Sequence, residues 1–93
     1  MKKINLAISG CLGRMGQQLI KSSRSNKNFK LVALTENKLI NKKIAGINLN
    51  LNTELAYKKT DVIVDFTVPG CTFEILKIAL KLKKRVVIGT TGF

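Results

Sequence analysis

The feature that most constrains this chain is a run of three glycines placed directly after a short apolar segment. The apolar segment covers residues 4–8, and Gly10, Gly13 and Gly16 follow it at intervals of three residues. A segment compatible with a helix, residues 15–24, comes next. Strand, glycine-rich turn and helix start in this order are typical of the loop that holds a dinucleotide in an α/β sheet.

Each glycine has a separate physical task in such a loop. Gly10 permits a tight turn with positive φ, Gly13 lets the backbone approach a pyrophosphate, and Gly16 lets the helix pack closely on the strand. The free N–H groups of the first helical turn then face the phosphates. The spacing is G-x-x-G-x-x-G, because Leu12 stands where a second glycine is usual. A purely structural strand-to-helix turn is therefore an alternative at this point.

An acidic residue stands at the distance from the glycines that a dinucleotide site requires. Residues 29–35 predict a second strand, and Glu36 follows it, twenty residues beyond Gly16. A carboxylate at this place accepts hydroxyl groups of the adenosine ribose, although a solvated glutamate in a turn is the alternative. Asn37 and Lys38 come next and could offer an amide and a positive charge to a 2′-phosphate. The sequence therefore does not distinguish NADH from NADPH as the cofactor.

The rest of the chain supplies further strands and helices. Strands are expected at 47–52, 61–66 and 85–88, and helices at 53–59 and 73–84. The first of these strands alternates apolar and polar residues, which is typical of an edge strand with one wet face. Thr72 is expected to cap the last helix. Residues 39–46 predict an irregular loop.

Two helices have apolar residues at helical spacing, which predicts the face that each turns to the sheet. In the first helix, from about Gly13 to Arg24, these residues are Met15, Leu19 and Ile20. In the last helix they are Phe73, Leu76, Ile78, Ala79, Leu80 and Leu82. Its lysines form an outer stripe, which we interpret as a solvated face.

Right-handed crossovers between these elements predict a Rossmann-like α/β fold, a parallel sheet of order 3-2-1-4-5 with helices on both faces. The distinctive residues all follow the carboxyl ends of strands: the glycine loop, Glu36, Phe66 with Thr67, and residues 89–91. Ligands of open α/β sheets bind at that edge. We therefore expect these segments to converge there.

The net charge of +12 raises the alternative of a small basic nucleic-acid-binding protein. The basic residues are mostly lysines spread over every segment, and aromatic residues are not interleaved with them. A stacking platform for bases is therefore not predicted, and neither is a specific nucleic-acid partner. Weak binding of polyanions at low salt is expected.

The cysteine content and the N-terminal sequence indicate the cellular compartment. Cys11 and Cys71 are too few for a disulfide framework or a metal site, and the chain has no histidine. The apolar stretch at 4–8 is shorter than a signal peptide requires, and no stretch has the length of a membrane span. A reduced, cytoplasmic location is expected.

Three blocks of the chain resemble one family. GCLGRMG at 10–16, DFTVPGCT at 65–72 and VIGTTGF at 87–93 are similar to the N-terminal half of 4-hydroxy-tetrahydrodipicolinate reductases. The resemblance covers essentially the whole chain. It implies an oxidoreductase of the diaminopimelate route to lysine, which uses NADPH or NADH and is homo-oligomeric in its full-length form. The nucleotide-binding half of another amino-acid-pathway dehydrogenase is the alternative within this class.

The resemblance also implies a set of cofactor-binding residues. Those around the pyrophosphate are Gly10, Cys11, Leu12, Gly13, Arg14 and Met15. Glu36 is implied at the adenosine ribose, Phe66 and Thr67 at the nicotinamide end, and Gly89, Thr90 and Thr91 at the nicotinamide amide. Asn37 stands where relatives often carry a basic residue, which leaves recognition of a 2′-phosphate open.

The same family carries a second domain with a histidine-rich substrate loop and an acid/base lysine. This chain ends at Phe93 and has no histidine. Residues 1–93 are therefore expected to form an incomplete, truncated dinucleotide-binding domain with no catalytic residue and no metal, inactive alone. Asp65 follows an apolar run and is expected to be structural. A dicarboxylate substrate is expected to bind only with the missing domain.

Overall fold

Six strands and three helices make up the part of the chain that this computed structural model describes, residues 3–38 and 40–89. The strands are β1 (Ile4–Ser9), β2 (Phe29–Glu36), β3 (Lys43–Ile44), β4 (Ile47–Leu51), β5 (Val62–Asp65) and β6 (Arg85–Ile88). The helices are α1 (Arg14–Arg24), α2 (Glu54–Tyr57) and α3 (Pro69–Leu82). Among these residues no helix has the length and apolar character needed to cross a bilayer.

The strands form one sheet of order β3-β4-β2-β1-β5-β6. The five predicted strands are parallel neighbours, and their order is the predicted one, so the α/β class is confirmed. The prediction missed β3, which pairs antiparallel with β4 and takes the edge position. Ala45 and Gly46 both have positive φ, 54° and 78°, and so form the two-residue turn that joins twisted antiparallel strands. Residues 43–46 were therefore wrongly interpreted as part of an irregular loop, and residue 39 lies outside the described residues.

Apolar residues of the central strands are buried on both faces of the sheet because helices cover both. The face under α1 buries Leu6, Ile8, Cys11, Ile20, Leu34 and Leu49. The opposite face, under α2 and α3, buries Ala7, Ala33, Tyr57, Ile63, Ile75 and Ala79. Alternate residues of β1 thus enter opposite cores, as the pleat of a strand requires.

The start of α1 differs from the prediction in one residue. Gly13 is the N-cap, with extended backbone, and the helix begins at Arg14. Ile20 packs against the sheet as expected, but Met15 is 55% exposed. It lies in the first turn, where the buried residue is Gly16.

The start and buried face of α3 were also predicted incorrectly. The helix begins at Pro69, four residues before the predicted start, because proline is favourable in the first helical turn where its missing N–H is not needed. Thr72 is therefore inside the helix and is not its cap. Thr72, Ile75 and Ala79 form the buried face, whereas Phe73 and Leu80 are exposed.

Candidate dinucleotide-binding site

The glycine loop connects β1 to α1 at the carboxyl edge of the sheet. Gly10 has φ of +78°, and its N–H donates to the carbonyl oxygen of Thr35 at 2.9 Å. A Cβ at Gly10 would lie 2.8 Å from the carbonyl oxygen of Phe66. The position therefore requires glycine twice, for its conformation and for the close approach of the segment that follows β5.

The other two glycines differ in how much space surrounds them. A Cβ at Gly16 would overlap the carbonyl oxygen of Gly10 and lie 2.8 Å from Cα of Cys11. The close approach is thus between helix and loop, not between helix and strand as predicted. A Cβ at Gly13 would meet only the carbonyl oxygen of Gly10, at 3.4 Å. Gly13 therefore leaves open space on the outer side of the loop.

Most N–H groups of the loop already have acceptors within the protein. Cys11 shares the Thr35 carbonyl with Gly10, and the N–H of Gly13 donates to Gly10. At the start of α1, the N–H groups of Arg14 and Met15 have no acceptor among the described residues, and Gly13 provides no side-chain cap. Because both residues are exposed, these donors and the positive end of the helix dipole face solvent.

Glu36 is the last residue of β2 and lies against the glycine loop. Its Oε2 accepts the N–H of Leu12 at 2.7 Å. Oε1 has no hydrogen bond with the residues that the structure describes, and the side chain is half-buried. One carboxylate oxygen thus holds the loop while the other is available to a ligand.

Phe66 joins the glycine loop to the carboxyl end of β6. Its N–H donates to the carbonyl oxygen of Ser9 at 3.0 Å. A Cβ at Gly89 would overlap the Phe66 ring, so the ring occupies the space that a side chain would take. Gly10, Phe66 and Gly89 are therefore in mutual proximity at one edge, as expected. Thr90 and Thr91 lie outside the described residues.

Asp65, at the end of β5, is buried and has several donors. Its Oδ1 accepts the N–H of Thr67 at 2.9 Å and the Thr67 hydroxyl, and its Oδ2 accepts the hydroxyl of Thr72. A carboxylate so fully occupied by its own neighbours is built to order the turn between β5 and α3. This geometry agrees with the structural role expected from the sequence.

Cys11 lies in the loop, but its side chain points into the core. The residue is fully buried. Burial, and secondly the nearby charge of Glu36, raise the pKa of the Cys11 thiol to about 11. Cys11 can therefore contribute only backbone to a ligand site. Cys71 is partly exposed, and both thiols are free.

A buried polar network beneath the loop was not predicted from the sequence. The Tyr57 hydroxyl lies 2.8 Å from Oγ1 of Thr35 and donates to Oδ1 of Asn52 at 2.6 Å. Oγ of Ser9 donates to the same Asn52 oxygen at 2.8 Å. These residues come from the ends of β1 and β2, the segment after β4, and α2. Neither a motif nor a period in the sequence signals that they meet.

A cleft of about 250 Å³ opens beside Glu36. Glu36 and Asn37 line one side, and Gly70 and Cys71, in the first turn of α3, line the other. Lys38 is exposed nearby. Within residues 3–38 and 40–89, no group of histidine, cysteine or acidic side chains is arranged to hold a metal ion.

Comparison with known proteins identifies relatives along the whole chain. The family model described as "Dihydrodipicolinate reductase, N-terminus" matches residues 4–93. A 4-hydroxy-tetrahydrodipicolinate reductase of Pelagibacter ubique is 83% identical over 93 residues, which are all of this chain and 36% of the relative. One from Buchnera aphidicola is 45% identical over 99% of this chain and 38% of the relative. The chain thus spans about a third of the length of these curated relatives.

A solved structure agrees with the sequence relatives. The dihydrodipicolinate reductase of Paenisporosarcina sp. TG-14, described as dipicolinate-bound, superposes with a TM-score of 0.83 at 34% identity. The match covers 98% of this chain and 38% of that one. Sequence and fold therefore lead to the same group of proteins.

Proposed function

Since this chain belongs to the dihydrodipicolinate reductase family and is its N-terminal, dinucleotide-binding part, we propose that the carboxyl edge of its sheet binds NADH or NADPH through the glycine loop and Glu36. The observation that carries this proposal is the pair of unpartnered N–H groups at the start of α1 beside a carboxylate with a free oxygen. The free N–H groups suit the pyrophosphate of a dinucleotide, and the free carboxylate oxygen suits the diol of the adjacent adenosine ribose.

The pyrophosphate is assigned to the first turn of α1. The N–H groups of Gly10, Cys11 and Gly13 are engaged within the protein, so the available donors are those of Arg14 and Met15. The guanidinium of Arg14 adds a positive charge at the same place. The open space outside Gly13 is where the phosphates would pass. Of the predicted residues, Leu12 and Cys11 then shape the loop without donating to the ligand.

The adenosine half is assigned to Glu36 and the adjoining cleft. Oε1 of Glu36 would accept the ribose hydroxyls, and the cleft between Asn37 and Gly70 would take the base. Asn37 and Lys38 are exposed beside this carboxylate. Their amide and positive charge would contact the 2′-phosphate of NADPH, and with NADH bound they would stay in solvent. We therefore propose that both NADH and NADPH bind.

The nicotinamide end is assigned to the junction of β5 and β6. Phe66 and Thr67 lie there with Gly89, and residues 90 and 91 follow directly in the chain. The cofactor, when bound, supplies a hydride. The protein's task at this end is to fix the orientation of the ring and to exclude water from one of its faces.

For the complete protein we propose reduction of 4-hydroxy-tetrahydrodipicolinate in the cytoplasm. In this proposal residues 1–93 bind and orient the cofactor, while substrate binding and proton donation belong to a separate domain, and the complete protein is a homo-oligomer. The support is the similarity to full-length reductases, together with the lack of any histidine in this chain. Activity is therefore not expected from these 93 residues alone.

The proposal is tested by titrating the chain with NADH and NADPH and following nicotinamide fluorescence. Gly13→Asp places a carboxylate in the phosphate path without a backbone clash, so binding should weaken at least about tenfold. Gly13→Asn is the matched neutral control: both side chains can cap the first turn of α1, so the affinity that Gly13→Asp loses beyond Gly13→Asn measures the effect of the charge. If Gly13→Asp binds like the unsubstituted chain, or if only salt-sensitive binding to any polyanion is seen, the proposed site is wrong.

A further inference from the structure

Tyr57 is a fully buried phenol that the proposed site does not use directly. It lies in α2, on the face of the sheet opposite α1, with its ring in the apolar cluster that includes Ile63 and Ile75. Its hydroxyl reaches through this cluster to the carboxyl end of β2. A tyrosine that serves only packing gains nothing from a buried hydroxyl, which must find partners to offset its lost hydration.

The hydroxyl has two partners, and the direction of the hydrogen bonds can be assigned. Tyr57 donates its single proton to Oδ1 of Asn52, which also receives the hydroxyl of Ser9. Thr35 must then be the donor in the 2.8 Å contact with Tyr57. Burial raises the pKa of the Tyr57 phenol, so the group stays neutral and able to donate.

Thr35 transmits this arrangement to the glycine loop. Its carbonyl oxygen accepts the N–H groups of Gly10 and Cys11, while its side chain donates to Tyr57. Glu36 follows directly in the chain and accepts the N–H of Leu12. The Tyr57 hydroxyl is thus hydrogen-bonded to Thr35. The carbonyl oxygen of Thr35 holds the glycine loop, and Glu36, the carboxylate proposed to bind ribose, follows it directly in the chain.

The short helix that carries Tyr57 is held by hydrogen bonds of its own. Thr53 caps the start of α2, and its Oγ1 accepts the N–H of Ala56 at 3.2 Å. The carbonyl oxygen of Tyr57 accepts the N–H of Thr60 at 3.1 Å, in the turn that leads into β5. The backbone on either side of the phenol is therefore fixed by hydrogen bonds that do not involve β2.

We propose that Tyr57 is a positioning residue for the dinucleotide site, which holds Thr35 so that the glycine loop and Glu36 keep their spacing before the cofactor arrives. The proposal rests on the function proposed above. A preorganised site avoids the cost of ordering the loop at the moment of binding, so the affinity for cofactor depends on the hydroxyl of a residue that touches no ligand.

The test compares Tyr57→Phe with Ile75→Val in the 93-residue chain. Both change the same buried cluster, but only the first removes a network hydroxyl. Amide hydrogen exchange without cofactor should show about fivefold faster exchange at Gly10 and Cys11 in Tyr57→Phe, with no such change in Ile75→Val. The affinity for NADH should fall about fivefold in Tyr57→Phe only.

A second pair of variants keeps the test valid if Tyr57→Phe does not fold. Thr35→Val lacks the donating hydroxyl at nearly constant volume, whereas Thr35→Ser keeps it. Thr35→Ser should bind NADH about fivefold more tightly than Thr35→Val. Equal affinities in this pair, or unchanged exchange at Gly10 in Tyr57→Phe, would overturn the role of Tyr57. Absence of NADH binding by the unsubstituted chain would instead refute the proposed function, and the exchange data would still decide whether Tyr57 holds the loop.

Discussion

Two strand–helix–strand units of this fold are built alike but differ where each helix begins. β1 and β5 are neighbours in the sheet, with Ser9 opposite Asp65, and each leads into a helix at the same edge. At the start of α1, glycines leave backbone N–H groups open to solvent. At the start of α3, the buried carboxylate of Asp65 accepts the hydroxyl of Thr72, which lies near the beginning of the helix. Pro69, the first residue of the helix, has no N–H to donate.

The difference shows how the same architecture can favour or disfavour the binding of a phosphate. An anion is stabilised by free N–H groups and by the helix dipole, which the unit of β1, α1 and β2 provides. The unit of β5, α3 and β6 instead has the negative charge of Asp65 beside the first turn of its helix, which disfavours a further anion there. Within a single sheet edge, the proposed phosphate site thus belongs to the first unit, while the second unit contributes Phe66 and Thr67 at the nicotinamide end.

The largest expected effect comes from adding a methyl group to one glycine of each unit. Gly16→Ala places a Cβ against the backbone of Gly10 and Cys11 and should destabilise the fold by about 3 kcal/mol. Gly70→Ala, at the start of α3, has no atom within 4 Å of the added Cβ. It should be neutral or stabilise by about 0.5 kcal/mol through helix propensity. Urea unfolding of both variants measures the contrast, and similar losses would contradict it.

The two carboxylates should separate binding from stability. Glu36→Ala should weaken NADH binding by about 1 to 3 kcal/mol, because the ribose hydroxyls lose the charged acceptor to which they donate. Asp65→Asn should instead lower the free energy of unfolding by about 2 kcal/mol, because the donors of Thr67 and Thr72 lose their ionised acceptor. Titration and thermal unfolding of both variants are required. A stable Asp65→Asn chain with reduced affinity would reverse our assignment.

The smallest expected effect concerns the cysteine in each unit. The pKa of Cys11 is about 11 in the folded chain against 9.0 for a free thiol. Above pH 9 the unfolded chain loses this proton while the folded chain keeps it, so stability should fall by about 1 kcal/mol by pH 10. Cys11→Ala should remove this part of the pH dependence, and Cys71→Ala should leave it. Equal slopes for both variants would disprove the contribution of Cys11.

Much of the fold follows from sequence because the signals are local. Apolar runs, glycines and charged boundaries define the five main strands and α1. The start of α3 was misplaced because Thr72 and Pro69 are both start signals, and the proline, being earlier, prevailed. The face of α3 was misjudged because Ile75 is buried while the larger Phe73 is not, which depends on where the sheet lies and not on hydrophobicity.

The candidate site, like the fold, could be predicted from the sequence only in part. The glycine pattern and the distance to Glu36 gave the edge and the residues that meet there. The sequence does not show that Leu12 donates its N–H to Glu36, or that Cys11 turns inward. Asn52 and Tyr57 escaped notice because a buried polar network is defined by distances between segments remote in the chain.

The contact between Phe66 and Gly89 has a practical consequence. The ring occupies the space beside a residue that has only two α-protons, so the proton on that side lies close to the ring and is subject to its ring current. The NMR resonance of this proton should be displaced from the position usual for glycine, and it should move when the ring turns. A single pair of lines would then report the arrival of a nicotinamide at this end of the edge, independently of any optical signal.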